Sequence, residues 1–168
     1  MFKKTKFRVL FIVLVMGMTV FGCKNTSSVD PVYNSFVING TTYEFTLGNM
    51  KNFGDVFDTS ANNVDLNLIS NDTIKDLYFE FFVPIGNQKL VSGTYSFAYT
   101  CTQFTYSAGR IQTPEMNYDV TSGTIKISVS GSGNDAIYTI EFDCTIKDVL
   151  DLPAGTLKGT YRGTLDLL

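Results

Sequence analysis

The sequence predicts an all-β domain, an antiparallel meander of about eight to ten strands forming a strongly curved sheet or a partly closed barrel. Three observations carry this. From about residue 32 onward apolar residues recur with a period of two rather than 3.6, turn-forming residues separate the runs, and the last run alternates glycine with large residues on one face.

Residues 35–38 and 41–47 flank Asn39-Gly40, and Asn-Gly between strand-like runs is a strong hairpin signal because both positions tolerate positive φ. Residues 48–63 are polar and rich in Asn and Asp, so a loop with one short helical turn is expected. Val64, Leu66 and Leu68 then alternate with Asp65 and Asn67, and Asn71-Asp72-Thr73 makes a turn before the most apolar strand, 77–83. Further strands are expected at 93–102 and 104–112, with 114–120 as an edge or crossover. Residues 123–130 and 136–146 pair across the turn Gly131-Ser132-Gly133-Asn134-Asp135. Residues 155–165 close the series, with Gly155, Leu157, Gly159, Tyr161, Gly163 and Leu165 on one face and Thr156, Lys158, Thr160, Arg162 and Thr164 on the other. Glycine between large inward residues lets a strand coil tightly or a neighbour come close.

Ahead of this domain, Lys3, Lys4, Lys6 and Arg8 precede the uncharged residues 9–21, and Gly22 stands before Cys23. That order is an export signal over residues 1–22; the apolar run is shorter than the about 20 residues a membrane-spanning helix needs. Val20-Phe21-Gly22-Cys23 resembles the lipobox of bacterial lipoproteins. The resemblance implies cleavage before Cys23, lipid on its thiol and an acyl chain such as palmitate on the new amino terminus. Residues 23–31 are then a lipidated N-terminus with a polar tether, and 32–168 a single domain.

The chain of 168 residues has 13 basic and 16 acidic side chains, and the leader holds four of the basic and none of the acidic ones. The remainder is therefore more acidic than the net −3 of the whole, which disfavours nucleic acid as a partner. Histidine is absent, which removes Ser-His-Asp and Cys-His catalysis and His-ligated zinc. No cofactor and no metal are expected. Tryptophan is absent too, leaving nine Tyr and 14 Phe for any aromatic binding surface. With Cys23 lipidated, Cys101 and Cys144 remain; a disulfide and two separate buried thiols fit their apolar-phase positions equally well.

The Asn-Gly hairpin, Gly93-Thr94-Tyr95-Ser96-Phe97, Ser122-Gly123-Thr124-Ile125, Tyr138-Thr139-Ile140-Glu141-Phe142 and Gly159-Thr160-Tyr161-Arg162-Gly163-Thr164-Leu165 together resemble small β-rich lipoproteins of Bacteroides and its relatives. The resemblance implies an outer-membrane lipid anchor, on the periplasmic face or at the cell surface, and no catalytic residues. Asp72-Thr73-Ile74 resembles the short O-glycosylation site of such envelopes, making Thr73 a candidate.

Among acids, Glu141 and Asp143 fall on the polar phase of their strand. Glu80 lies between Tyr78 and Phe82 on the second face of an apolar strand, so Tyr78, Glu80 and Phe82 form either a covered face or an exposed binding patch. Asp55, Asp58, Asn62, Asn63 and Asp65 lack the spacing of a calcium loop. The expected function is a lipid-anchored cell-envelope protein with a non-catalytic ligand- or partner-binding role, its partners being the membrane and an unknown envelope protein or small ligand. The alternative is a structural or adhesin-like assembly component, and the third reading is a glycan hydrolase working with carboxylates alone, which needs two acids in one cleft.

Overall fold

The computed structural model describes residues 34–57, 59–70 and 75–168. The leader 1–22, Cys23, the tether and the candidate Thr73 lie outside the described residues. The rest is all-β: eleven strands form a single strongly curled, half-barrel sheet, slightly more strands than the sequence suggests. In chain order they are β1 (Ser35–Ile38), β2 (Thr41–Glu44), β3 (Leu47–Asp55), β4 (Ala61–Ile69), β5 (Asp76–Pro84), β6 (Gly93–Phe97), β7 (Thr105–Gln112), β8 (Asn117–Ser130), β9 (Ile137–Asp148), β10 (Pro153–Gly163) and β11 (Asp166–Leu167). The order across the sheet is β11-β3-β4-β5-β7-β6-β8-β9-β10-β1-β2.

The first hairpin forms as the sequence requires, with Asn39 at φ 51° and Gly40 at φ 84° between β1 and β2. Residues 48–63 differ from expectation: they build most of β3 and the start of β4, and only the connection between these strands is a loop. Their polar side chains suit one wet face of a sheet as well as they suit a loop. β6 ends at Phe97 rather than near 102. The chain then bends through 99–104, where Phe104 adopts φ 58° and lays its ring against Gly93. Residues 114–120 contain a short turn and the start of β8, which continues through Ser130.

The curl brings the two ends of the sheet together at consecutive residues. Phe45 donates its N–H to the Asn34 carbonyl beside β1, and Thr46 donates to the Ile69 carbonyl at the end of β4. Gly48 of β3 lies under Tyr161 and Leu165, so tightly that an added Cβ would sit 2.8 Å from the Tyr161 hydroxyl. On β10 the alternation reads as expected, with Leu157 and Tyr161 buried, and it carries on to the buried Leu165 just past the strand. Gly159 admits the backbone of β1: a Cβ there would lie 2.7 Å from Phe36 Cα and closer still to the Ser35 carbonyl oxygen.

Aromatic side chains fill the interior. Phe36 meets Phe45 edge-on at 4.9 Å and Phe142 at 5.3 Å, Phe142 meets Phe79 at 5.2 Å, and Phe79 meets Tyr106 at 5.9 Å. The series runs from β1 through β9 and β5 to β7, and its first two links tie strands that are not neighbours in the sheet. Such ring pairs contribute about 0.5–1.5 kcal/mol each beyond their buried area.

Two glycine substitutions separate conformational cost from steric cost. Nothing lies within 4 Å of a Cβ at Gly40, so Gly40→Ala meets only the penalty of a left-handed backbone, about 1 kcal/mol. Gly159→Ala strikes backbone and is expected to cost about 3 kcal/mol or more. Urea denaturation of both variants measures the difference, and equal losses would contradict this account of the β1–β10 contact.

Candidate functional site: a split in the sheet

β6 is a wedge. It runs parallel to β7, with Ser96 opposite Thr105 and Phe97 opposite Tyr106, and antiparallel to β8, with Gly93 opposite Ile127 and Ser96 opposite Thr124. Where β6 stops, β7 and β8 do not close at once; they pair directly only from Arg110 opposite Asp119 to Gln112 opposite Asn117. Between these points Ala108 and Gly109 have a strand partner only in β5, Val120, Ser122 and Gly123 only in β9, and Ser107 and Thr121 bulge out of both ladders. An interior strand normally pairs on both sides, so the main-chain polar groups facing this split lack a ladder partner.

The split is the floor of a cleft of about 540 Å³ lined by Tyr78, Phe97, Tyr99, Arg110, Asp119, Lys147 and residues 107–109 and 120–121. This volume falls within the ~300–1,000 Å³ of small-ligand sites. Its aromatic wall reaches from the core to solvent. Tyr106 is fully buried, Phe97 meets it edge-on at 5.5 Å, and Tyr99, 87% exposed, meets Phe97 edge-on at 5.1 Å.

The charged wall comes from three strands in register, Arg110 on β7, Asp119 on β8 and Lys147 on β9. Lys147 is paired with Asp151, and that contact, with the nearby Asp119 carboxylate adding to it, raises the Lys147 ammonium above its usual value. Arg110 forms no ion pair among the described residues; its guanidinium lies 5.9 Å from the centre of the Tyr78 ring. Tyr78 is held in turn by donating its hydroxyl to Asp65 Oδ2 at 2.8 Å.

Next to this wall, Asp65 of β4 stands directly opposite Glu80 of β5. Glu80 is fully engaged: Oε1 accepts from Asn63 Nδ2 at 2.6 Å and Oε2 from Ser107 Oγ at 2.7 Å. The β-bulge between Glu80 and Phe81 brings Ser107 into reach. Burial lifts the Asp65 carboxyl above its ordinary value; the Tyr78 hydrogen bond opposes this, the Glu80 charge adds to it and the Lys51 charge opposes it. Asp65 Oδ1 and Asn63 Oδ1 are buried without a hydrogen-bond partner among the described residues.

Of the predicted patch, therefore, only Tyr78 lines the cleft. Glu80 belongs to the polar network beside it, and Phe82 is 1% exposed. Glu44 is on β2, Glu80 on β5 and Glu115 in the β7–β8 turn, where it accepts from the Tyr43 hydroxyl at 3.2 Å, and none of the three lines the cleft. Glu141 and Asp143 are exposed, facing Lys126 at 3.7 Å and Lys158 at 3.2 Å. Asp55, Asn62, Asn63 and Asp65 fall on β3 and β4 instead of one loop, with Asn62 buried; Asp58 lies outside the described residues, among which no three acidic or cysteine side chains gather as a metal site. Cys101 and Cys144 are both free thiols. Cys144 points from β9 into the core with its Sγ 3.5 Å from the Tyr106 hydroxyl, whereas Cys101 lies half-buried in the β6–β7 loop.

Phe97, Tyr99, Arg110, Asp119 and Lys147 carried no functional signal in the sequence. Each occupies an ordinary strand or loop position, and what gathers them is the insertion of β6 between β7 and β8, which a period-two pattern cannot express. No protein-family profile, curated protein or solved structure matches the chain.

Two measurements follow from this geometry. Because folding raises the Asp65 carboxyl above 3.8, the folded chain holds that proton more tightly than the unfolded chain does. Below that value both states carry the proton; as pH rises from there through the raised folded value, stability falls. Asp65→Asn is expected to flatten this decline in urea midpoints taken from about pH 4 to pH 7, and an unchanged slope would refute the assignment. Burial also raises the Cys144 thiol, so native iodoacetamide labelling should modify Cys101 and spare Cys144, as read by peptide mass mapping. Protection of both, with a mass two hydrogens lower, would mean that a bridge forms.

Proposed function

We propose that the chain is an exported lipoprotein, held at the outer membrane through lipid on Cys23, whose β domain binds a ligand or partner without catalysis. The single observation that supports binding is the cleft at the β7–β8 split, where an aromatic wall, a guanidinium with no ion pair among the described residues and main-chain groups without strand partners face one space. Aromatic surface with a few placed polar groups is the usual makeup of a small-ligand site. Hydrolysis by paired carboxylates has less support, because this cleft is lined by one carboxylate, that of Asp119. The assembly reading would use the outer edge of β2, and four residues offer little for strand addition.

The anchor and the binding site are tested separately. Cys23→Ser should abolish acyl labelling and membrane retention; normal labelling of that variant would defeat the lipoprotein reading. For binding, amide resonances of the isotope-labelled chain are followed while a small-molecule extract of the cell envelope is added. Shifts should concentrate at residues 107–110 and 119–121 and weaken about tenfold in Tyr99→Ala. Shifts confined to residues 41–44 would favour the assembly role instead.

A further inference from the structure

We infer that the guest of the cleft is a short peptide with a free C-terminal carboxylate, lying where β6 would continue if it did not stop. The inference rests on the binding reading above and specifies its ligand.

The first support is the shape of the vacancy. β6 runs parallel to β7 and antiparallel to β8, and its last ladder contact is followed by one more strand-like bond, from Ala98 N–H to the Tyr106 carbonyl at 2.9 Å. The chain then turns away, while β7 and β8 continue for a few residues before meeting at Arg110 and Asp119. The gap has the rims of a sheet and the length of two or three residues at about 3.3 Å each. A peptide offers N–H and C=O groups to both rims, as in strand addition at a sheet edge, with one bulged residue in each rim, Ser107 and Thr121, left out of regular register.

The second support is direction. A guest that continues β6 runs from its amino end near Ala98 to its carboxyl end at the closing point. Arg110 stands at that point, its guanidinium positioned over the Tyr78 ring and without an ion pair among the described residues. The other cation of the cleft, Lys147, is occupied by Asp151. Guanidinium and carboxylate form paired, charge-assisted hydrogen bonds, so the free end of the peptide meets the one lining cation with capacity to spare.

The third support is size. A Cβ on Gly109 would lie 2.7 Å from Phe79 and 2.8 Å from Val120, so the core beneath the rim is full and inward guest side chains must be small. Outward side chains have room beside the exposed Tyr99 ring.

The test uses trialanine as the free acid, trialanine amide, and maltose as an uncharged saccharide, each titrated into the full chain in detergent by calorimetry and amide NMR. Trialanine acid is expected to shift residues 107–110 and 119–121 and to bind at least about tenfold tighter than the amide. Arg110→Gln, an exposed substitution whose fold is checked by circular dichroism, should erase the difference between acid and amide, while Arg110→Lys keeps part of it. Equal binding of acid and amide, or shifts away from the split, overturns the inference. Maltose shifting the cleft while both peptides leave it unchanged overturns the peptide but leaves the binding reading standing. No response at the cleft to any of the three at millimolar concentration counts against both.

Discussion

Everything in this domain depends on the sheet closing on itself tightly enough for two consecutive residues, Phe45 and Thr46, to reach its opposite ends. Curvature of that degree needs places where strands or rings approach without a Cβ between them, and glycine provides them. Gly48 receives Tyr161 and Leu165, Gly159 receives the β1 backbone, and Gly109 receives Phe79 and Val120. The interior formed in this way is narrow enough for single rings to span it, which is why Phe36, Phe142, Phe79 and Tyr106 form a continuous aromatic series between distant strands. Remove the close approaches and the rings lose their partners on the far side.

The same curvature accounts for the cleft. Eleven strands cannot all keep full ladders around a tight bend, and two of the irregularities lie where β6 is wedged in. There β7 carries a bulge opposite β5, β8 carries one opposite β9, and the two strands separate. The bulge on β7 also delivers Ser107 to Glu80, so the polar network of Asn63, Glu80 and Ser107 supports one rim of the opening. Disruption of the ladder and construction of a polar wall are one event. Bulges near functional sites do this generally, aiming a side chain by interrupting a ladder.

How much of this was written plainly in the chain varies from element to element. The Asn39-Gly40 hairpin was legible because its backbone requirement is local and two residue types satisfy it. The glycine face of β10 was legible because period-two patterning reports which side is dry, and its close approaches followed from that. Residues 48–55 misled because Asn, Lys and Gly signal a loop in isolation; their strand state is imposed by pairing with β4, a tertiary choice that outweighs propensity. The cleft was hidden for a stronger reason. Arg110, Asp119 and Lys147 share a row only through the registers of three strands, and Tyr99 joins them only because β6 stops early. Glu80, conspicuous in the sequence as an acid in an apolar strand, turned out to have both oxygens satisfied.

The joining of the sheet's ends also sets the order in which the molecule can assemble. β1 pairs with β10, so Phe36 waits for Gly159, and β3 takes β11 as its outer neighbour. Local hairpins such as β8–β9 can form early, but the barrel-like closure is among the most non-local contacts a chain of this length can make, and such contacts form slowly. Until they do, β1 and β3 each present a bare edge. A chain of this topology stays open until residues near 160 have joined it, so its first strands and its last share a single folding step.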